Sequence, residues 1–275
     1  MDLAGRVAVV TGAGSGIGRS LAVGLAKEGM SLVLAGVNRS PLEATAKLLV
    51  PFNAECLCVP ADVSQLNDMQ NLADKALERF GQVHLLCNNA GVAPFGSVEE
   101  TSIDDWQWML GVNLWGPIYG AHVFLPIMEA QGVGHICSTA SEAGLYGGSF
   151  HAAYNVSKFG VVGLMQSLAR DLRATASPVT ASVVCPSAVK SNIVDRERDR
   201  PAGIKTAPAK SEATQALESK IDRANKDGMD PSEAAGIVIA AIKRDQFWIF
   251  THARVPETAF RQAKEMAERN VLIDI

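Results

Sequence analysis

The 275-residue chain lacks any apolar run approaching the roughly 18 to 20 residues that cross a bilayer, so no membrane partner is expected. It lacks a basic excess: 25 Lys and Arg stand against 29 Asp and Glu, a net charge of −4. That mild acidity offers no broad footprint for phosphate backbones, and no nucleic acid is expected either. Basic residues and a long apolar core are also missing from its start. Met1-Asp2-Leu3-Ala4-Gly5-Arg6 places a carboxylate where an export signal is basic, and the apolar stretch 7–10 is short, so a cytoplasmic location is expected. The five cysteines, at 56, 58, 87, 137 and 185, are odd in number and sit in apolar runs. They read as core residues of a protein in a reducing compartment. Cys56 and Cys58 would share one face of a strand, but no third and fourth ligand follow at zinc-like spacing, so no metal is expected. There is no repeat, no linker and no long polar tract, which excludes fibrous and disordered classes and gives no sign of a second domain.

What is there is alternation. Short continuous apolar runs at 7–10, 32–35, 56–59, 83–87, 135–138 and 179–185 alternate with segments of helical period at 17–28, 42–50, 69–80, 106–128 and 153–173. Continuous runs suit strands covered on both faces, and strand–helix–strand units demand a parallel sheet with right-handed crossovers. The expected fold is therefore a doubly wound α/β sheet with helices on both faces. After Pro186 the texture changes: residues 190–230 carry many charges, Pro201, Pro208, Gly203 and Gly228, with little apolar periodicity, and read as a mobile excursion. A helix restarts at Asp230-Pro231-Ser232-Glu233, with an N-cap, proline at the first helical position and glutamate three residues past the cap. Residues 247–250 read as a last strand and 256–270 as a charged terminal helix.

Two motifs carry chemistry. Thr11-Gly12-Ala13-Gly14-Ser15-Gly16-Ile17-Gly18 follows the first strand and opens the first helix, where bare backbone amides and a helix N-terminus hold a pyrophosphate. Its spacing is GxxxGxG rather than GxGxxG, and taken alone it is also compatible with a tight strand-to-helix corner. Tyr154 and Lys158, four residues apart on a helical run, share one face. A free phenol titrates near pH 10, and a lysine cation within about 4 to 6 Å favours its ionised form, which makes an effective acid/base for an alcohol or carbonyl. Alone, the pair is equally compatible with an exposed helical tyrosine and lysine.

Taken in order, TGxxxGIG at 11–18, Asp62-Val63, Asn88-Asn89-Ala90-Gly91, Asn113, Ser141, Tyr154-x-x-x-Lys158 and Pro186 resemble the short-chain dehydrogenase/reductase family over residues 5–190. The resemblance implies a single Rossmann-type domain over 1–275 with about seven strands, a nicotinamide cofactor, a small-molecule substrate, and a homo-oligomer, tetramer or dimer, built through the helices before and containing the Tyr-Lys pair. It implies that Tyr154 is the general acid/base, that Lys158 lowers its pKa and holds the nicotinamide ribose, that Ser141 holds the substrate oxygen, and that Asn113 keeps a water in the proton relay. Substrate contacts are then Ser141 and Tyr154.

For the cofactor, Gly12, Ser15, Gly16, Ile17 and Gly18 match the pyrophosphate turn, Asp62 and Val63 the adenine contacts, and Asn89, Ala90 and Gly91 the strand end beside the adenosine ribose. Pro186, Val189 and Ser191 match the segment that holds the carboxamide, with Ser187 replacing the usual glycine after the proline and Ser191 the usual threonine. NAD-preferring members place a carboxylate at the end of the second strand; here Leu34-Ala35-Gly36-Val37-Asn38-Arg39 puts Gly36 there. Without that charge a 2′-phosphate is not repelled, and Asn38 or Arg39 could reach it, although the usual basic position is held by Val37. NADP(H) is expected over NAD(H), with NAD(H) the alternative.

The segments Leu86-Cys87-Asn88-Asn89, 104–113, Lys190-Ser191-Asn192-Ile193 and 245–252 are similar to those of bacterial members that oxidise bulky secondary alcohols, among them aryl-ether lignin-fragment Cα-dehydrogenases and broad-range alcohol dehydrogenases for hindered ketones. Residues 191–229 are expected to form the substrate lid, and 230–275 a terminal helix, strand and helix. Phe95, Glu142, Leu145, Tyr146 and His151 flank the four catalytic positions and could line a pocket or pack as core. His151 reads as the polar residue of a helix N-terminus rather than a second base, and Trp106 and Trp108 as packing residues. The expected activity is a nicotinamide-dependent secondary alcohol dehydrogenase or ketone reductase; the alternatives are a steroid, sugar-type, epimerase or dehydratase relative, or a silent cofactor-binding regulator.

Overall fold

In the computed structural model, seven parallel strands form one sheet in the order β3-β2-β1-β4-β5-β6-β7. They are β1 Val7–Thr11, β2 Ser31–Gly36, β3 Cys56–Pro60, β4 Leu85–Asn88, β5 Gly134–Thr139, β6 Val179–Cys185 and β7 Trp248–Phe250. The structure describes residues 1–191, 193, 200, 209–270 and 272. The inner strands are buried on both faces because helices cover both, which is why their sequences read as unbroken apolar runs. One face is covered by α3 Leu66–Phe80, α5 Gly116–Gln131 and α6 Ala152–Ala174, whose Met69, Leu72, Phe124, Met128, Val161 and Met165 are fully buried or nearly so. The other is covered by α1 Gly16–Lys27, α2 Arg39–Leu49 and α8 Pro231–Lys243 through Leu21, Leu25, Leu42, Leu49, Val238 and Ile242.

Strand order reverses between β1 and β4, which pair side by side as Val9 with Leu86 and Val10 with Cys87. A crevice opens beyond the carboxyl ends of strands at such a switch point, and the connections there carry function. The cysteines divide by position. Cys87, Cys137 and Cys185 lie in the core, but Cys56 and Cys58 are only partly buried, because β3 is the sheet's edge and one side of it meets water. Among the described residues no group of metal-ligating side chains gathers, and no helix is long and apolar enough to cross a membrane.

Two segments differ from the sequence reading. The periodic stretch 106–128 is not one helix: α4 Ile103–Leu110 is followed by a π turn, Gly111–Trp115, before α5 begins. Pro117 supplies the reason, since four residues beyond Asn113 it has no N–H to give the Asn113 carbonyl, and the regular ladder breaks there. Nor is 190–230 without structure, because it contains α7 Glu212–Lys226. Only Thr214 of that helix is buried, so no apolar stripe announces it; the Ser211 hydroxyl caps it by accepting the Thr214 N–H. The rest of that excursion, 192, 194–199 and 201–208, lies outside the described residues. At the C-terminus α8 starts at the Asp230 cap, whose side chain accepts the Ser232 N–H at 2.8 Å, and α9 spans Arg254–Arg269.

Candidate active site

The glycine turn leaves β1 at Thr11, whose Oγ1 accepts the N–H groups of Asn89 at 2.9 Å and Ala90 at 3.1 Å. Asn89 returns an Nδ2 hydrogen bond to the Thr11 carbonyl at 3.1 Å. The two strand ends that flank the reversal are thus tied together. Gly12 has a left-handed φ of 64°, and a Cβ on Gly18 would lie 2.3 Å from the Gly12 carbonyl oxygen, so α1 starts hard against the turn only if both are glycine. Ser15 takes the N-cap position, Gly16 and Ile17 open the helix, and its first turn holds no carboxylate. Ser191 closes the other side, its Cβ 3.4 Å from where a Cβ on Gly16 would stand. Amides facing a crevice, a helix N-terminus and no negative charge fit a dinucleotide pyrophosphate. Arg19 braces the turn from behind: it donates to the Gly14 carbonyl and, at 3.1 Å, to Thr45 Oγ1 of α2.

Along the other half of the crevice, Gly36 ends β2, Asn38 is at the N-cap position of α2, and Arg39 is its first residue. Arg39 lies 3.8 Å from Glu43 with both side chains more than half exposed, a contact too loose to hold it. Asp62 Oδ1 accepts the N–H and hydroxyl of Ser64 at 2.9 and 2.8 Å, while Val63 is buried against Gly116. Pro186, Val189 and Ser191 follow β6. Val189 bridges Met229, and Lys190 N–H donates to the Met229 carbonyl at 3.0 Å, so this segment is pinned to the start of α8.

Asn113, Ser141, Tyr154 and Lys158 meet at the carboxyl ends of β4 and β5. The π turn aims the fully buried Asn113 at Val92, accepting its N–H at 2.9 Å and donating to its carbonyl at 2.8 Å. Asn113 Nδ2 also donates to Ser157 Oγ at 3.2 Å, and Ser157 donates to the Tyr154 carbonyl at 2.7 Å. The amide is therefore coupled to the helix that carries the tyrosine. Lys158, 2% exposed, donates from Nζ to the Thr139 carbonyl at 2.9 Å. A Cβ on Gly91 would fall 3.4 Å from Asn113 Oδ1 and 3.7 Å from Lys158 Nζ, so a glycine there keeps the gap between them open. The Ser141 hydroxyl, which accepts the Ala143 N–H at 3.2 Å, lies next to the Tyr154 phenol.

The electrostatics differ from expectation. Burial pushes Tyr154 up to about 12 and the nearby Glu142 adds to this, with the neighbouring Ser141 hydroxyl acting the other way. Lys158 lies close by. Its ammonium lies over the ring face, 5.5 Å from the centroid, and gives its hydrogen bond to Thr139. Burial in turn drives Lys158 itself down to about 8.

The family model for short chain dehydrogenases matches residues 6–202. The chain belongs to the short-chain dehydrogenase/reductase family. A solved short-chain dehydrogenase/reductase from Burkholderia phymatum in complex with NAD is 39% identical and superposes with a TM-score of 0.96 over 100% of this chain and 99% of that one. A dehydrogenase/reductase of CLA biosynthesis from Lactiplantibacillus plantarum is 32% identical over 91% of this chain and 89% of its own length. The cyclohexanol dehydrogenase of Acinetobacter sp. strain SE19 is 37% identical over 60% of this chain and 66% of its own. The protein is thus an oxidoreductase with a Rossmann-type fold.

Around the four central residues of this dehydrogenase, several side chains do what sequence position did not disclose. His151 stands at the N-cap position of α6, as read, but its ring stacks between Phe95 at 4.2 Å and Tyr154 at 4.5 Å, nearly parallel to both. Tyr146 gives its hydroxyl to Glu142 at 2.8 Å. Trp108 packs as expected, beneath the Arg200 guanidinium. Two residues were not anticipated at all. Glu100, 8% exposed, accepts Ser97 N–H at 2.8 Å, Ser211 N–H at 2.5 Å and the Thr214 hydroxyl at 2.5 Å, and so grips the start of α7. Arg254, first residue of α9, reaches Glu142 and Ser187. Both are long-range partners across more than a hundred residues, and no local pattern signals them.

Proposed function

We propose that this protein transfers a hydride between a nicotinamide cofactor and a secondary alcohol or ketone, bulky or aromatic, with Tyr154 as the acid/base. The observation that carries the reading is the placement of the Ser141 hydroxyl next to the Tyr154 phenol, beside the buried Lys158. Two hydroxyls set side by side on rigid elements form a seat for one substrate oxygen. Tyr154 carries its proton at neutral pH and donates it to a carbonyl oxygen; in the oxidative direction its ionised form, favoured as pH rises, takes the proton of an alcohol. Ser141 donates to the same oxygen and stabilises the charge that grows on it. Lys158 holds positive charge behind the phenol and would hold the nicotinamide ribose, and Asn113 fixes α6 through Ser157 and would line the path by which the proton leaves. When bound, the nicotinamide supplies or accepts the hydride.

Gly12, Ser15, Gly16, Ile17 and Gly18 would hold the pyrophosphate, Asp62 and Val63 the adenine, Asn89, Ala90 and Gly91 the adenosine ribose, and Pro186, Val189 and Ser191 the carboxamide. NADP(H) is the favoured cofactor, supported by Gly36 in the carboxylate position and by Arg39, exposed at the start of α2 and loosely held. NAD(H) is the second reading, favoured by the similar Burkholderia protein, which holds NAD. The cyclohexanol dehydrogenase likeness supports an alicyclic or aryl secondary alcohol. Residues 191–229 act as the substrate lid. Half-exposed Trp115, Val156 and Phe159 on the π turn and α6 support a homo-oligomer formed through this side of the molecule.

A cofactor-absorbance screen of cyclohexanol, 1-arylethanols and their ketones with both cofactors tests the reading, with Tyr154→Phe as control. Turnover with wild type and a loss of about a thousandfold or more in the variant is expected. Undiminished turnover by Tyr154→Phe would reject it, and a tenfold preference for NAD(H) would reject the cofactor assignment.

A further inference from the structure

The turn that carries Ser141 also carries a carboxylate that the chemistry above does not use. Glu142 donates its backbone N–H to the Pro186 carbonyl at 2.9 Å. Its Oε1 accepts the Ser187 hydroxyl at 2.9 Å and the Arg254 guanidinium at 3.2 Å, and its Oε2 accepts the Tyr146 hydroxyl at 2.8 Å. Arg254 also donates to Ser187 Oγ. One carboxylate thus joins three separate pieces of chain: the Ser141 turn, the segment after β6, and the C-terminal helix. Ser187, the residue in place of the usual glycine, supplies the hydroxyl that makes the second of these links.

We propose that Glu142 is a positioning residue: gripped by Tyr146, Ser187 and Arg254, its carboxylate keeps the Ser141 turn in register with the Pro186–Ser187 segment. With Arg254 it also sets the pH range over which Tyr154 works. This rests on the acid/base reading of Tyr154. Among the described residues, Ser141 and Glu142 reach the phenol from the turn and His151 and Lys158 from the start of α6, while Asn113 of the π turn, uncharged, meets this helix through Ser157. Beyond Lys158, β6 offers Cys185, which burial pushes up to about 12 and keeps neutral. Glu142 is therefore the one negative charge facing the phenol among these groups. It makes loss of the phenol proton harder, and Arg254, paired with it, offsets this effect.

The signs follow. Glu142→Gln removes the negative charge, so the rise of kcat/KM for alcohol oxidation with pH moves down by about half a pH unit. Arg254→Met leaves Glu142 uncompensated, so the rise moves up by a smaller amount. Arg254 is 62% exposed, and its removal is tolerated by the fold even if Glu142→Gln is poorly tolerated. Opposite displacements in the cofactor-loaded enzyme are the expected result, with cofactor KM raised in both variants. A loss of activity with both midpoints unmoved, or moved the same way, would overturn the proposal. Tyr154→Phe, measured beside them, separates the two readings: if it stays active, the acid/base assignment fails; if it is inactive while the midpoints do not move apart, only the role of Glu142 fails.

Discussion

The two walls of the crevice are held by different forces. The sheet wall, ending in the glycine turn, Asn89 and Ser141, rests on strands with almost no exposed apolar surface and on side chains such as Phe124, Met128 and Met165, all 0% exposed. The opposite wall in our proposal, α7, buries one residue of its length and, with Arg200 before it, hangs from two carboxylates. Glu100 takes the start of α7, and Asp105 takes Arg200 at 2.7 Å with both side chains nearly enclosed. Packing holds groups to fractions of an ångström and fails only when the whole core opens. A few polar clasps let a segment detach without global unfolding, which would suit the substrate lid proposed for it.

Four experiments would break or sharpen this contrast. The largest effect belongs to the sheet wall: Phe124→Ala should cost about 3 to 5 kcal/mol of unfolding free energy, measured by denaturant titration, while the folded fraction keeps its kcat. Next comes acid. His135 is fully buried between β5 and β6, where Ser182 gives its proton to the Gln246 carbonyl and so receives one from His135 Nε2, leaving Nδ1 to accept from Thr180. Burial pushes this histidine down to about 4. A depressed histidine contributes stability that is complete above its unfolded value near 6.5 and is lost as pH falls toward 4. The unfolding free energy should therefore drop by about 3 kcal/mol over that window, with a shallower fall in His135→Gln.

Smaller effects should appear at the polar clasps and the exposed charges. Hydrogen bonds from Ser97, Thr214 and Ser211 hold Glu100 down at about 2, so its charge outlasts that acid transition. Glu100→Gln should raise substrate KM about tenfold with kcat and Tm nearly unchanged; a large fall in Tm would erase the distinction between the walls. Last, Arg39→Ala should lower kcat/KM with NADP by about fivefold and leave NAD turnover as it was, because an exposed cation supports a phosphate without supporting the fold.

Much of this was legible in the chain. Each inner strand announced itself because burial on both faces leaves no polar alternation. Asp230-Pro231 marked the start of α8 because caps are local chemistry. The π turn at Gly111–Trp115 was not legible, since the break of a helical ladder at a proline does not disturb apolar periodicity. Helix α7 escaped because its stabilisation comes from Glu100, 114 residues from Thr214. The stack of His151 on Tyr154 could not be read from their spacing of three. It depends on Phe150 taking a left-handed φ of 52° and on Phe95 arriving from another segment.

The sequence by itself determined the order of strands and helices, the glycine turn and the identity of the four residues at its centre, because burial, capping and close backbone approach act between near neighbours. Only the tertiary structure decided the electrostatics of that centre. Lys158 spends its hydrogen bond on Thr139, burial and Glu142 push Tyr154 up, and Arg254 returns from the C-terminal helix to pair with Glu142. Charges act through space across whatever the fold brings together, and no spacing along the chain records that distance.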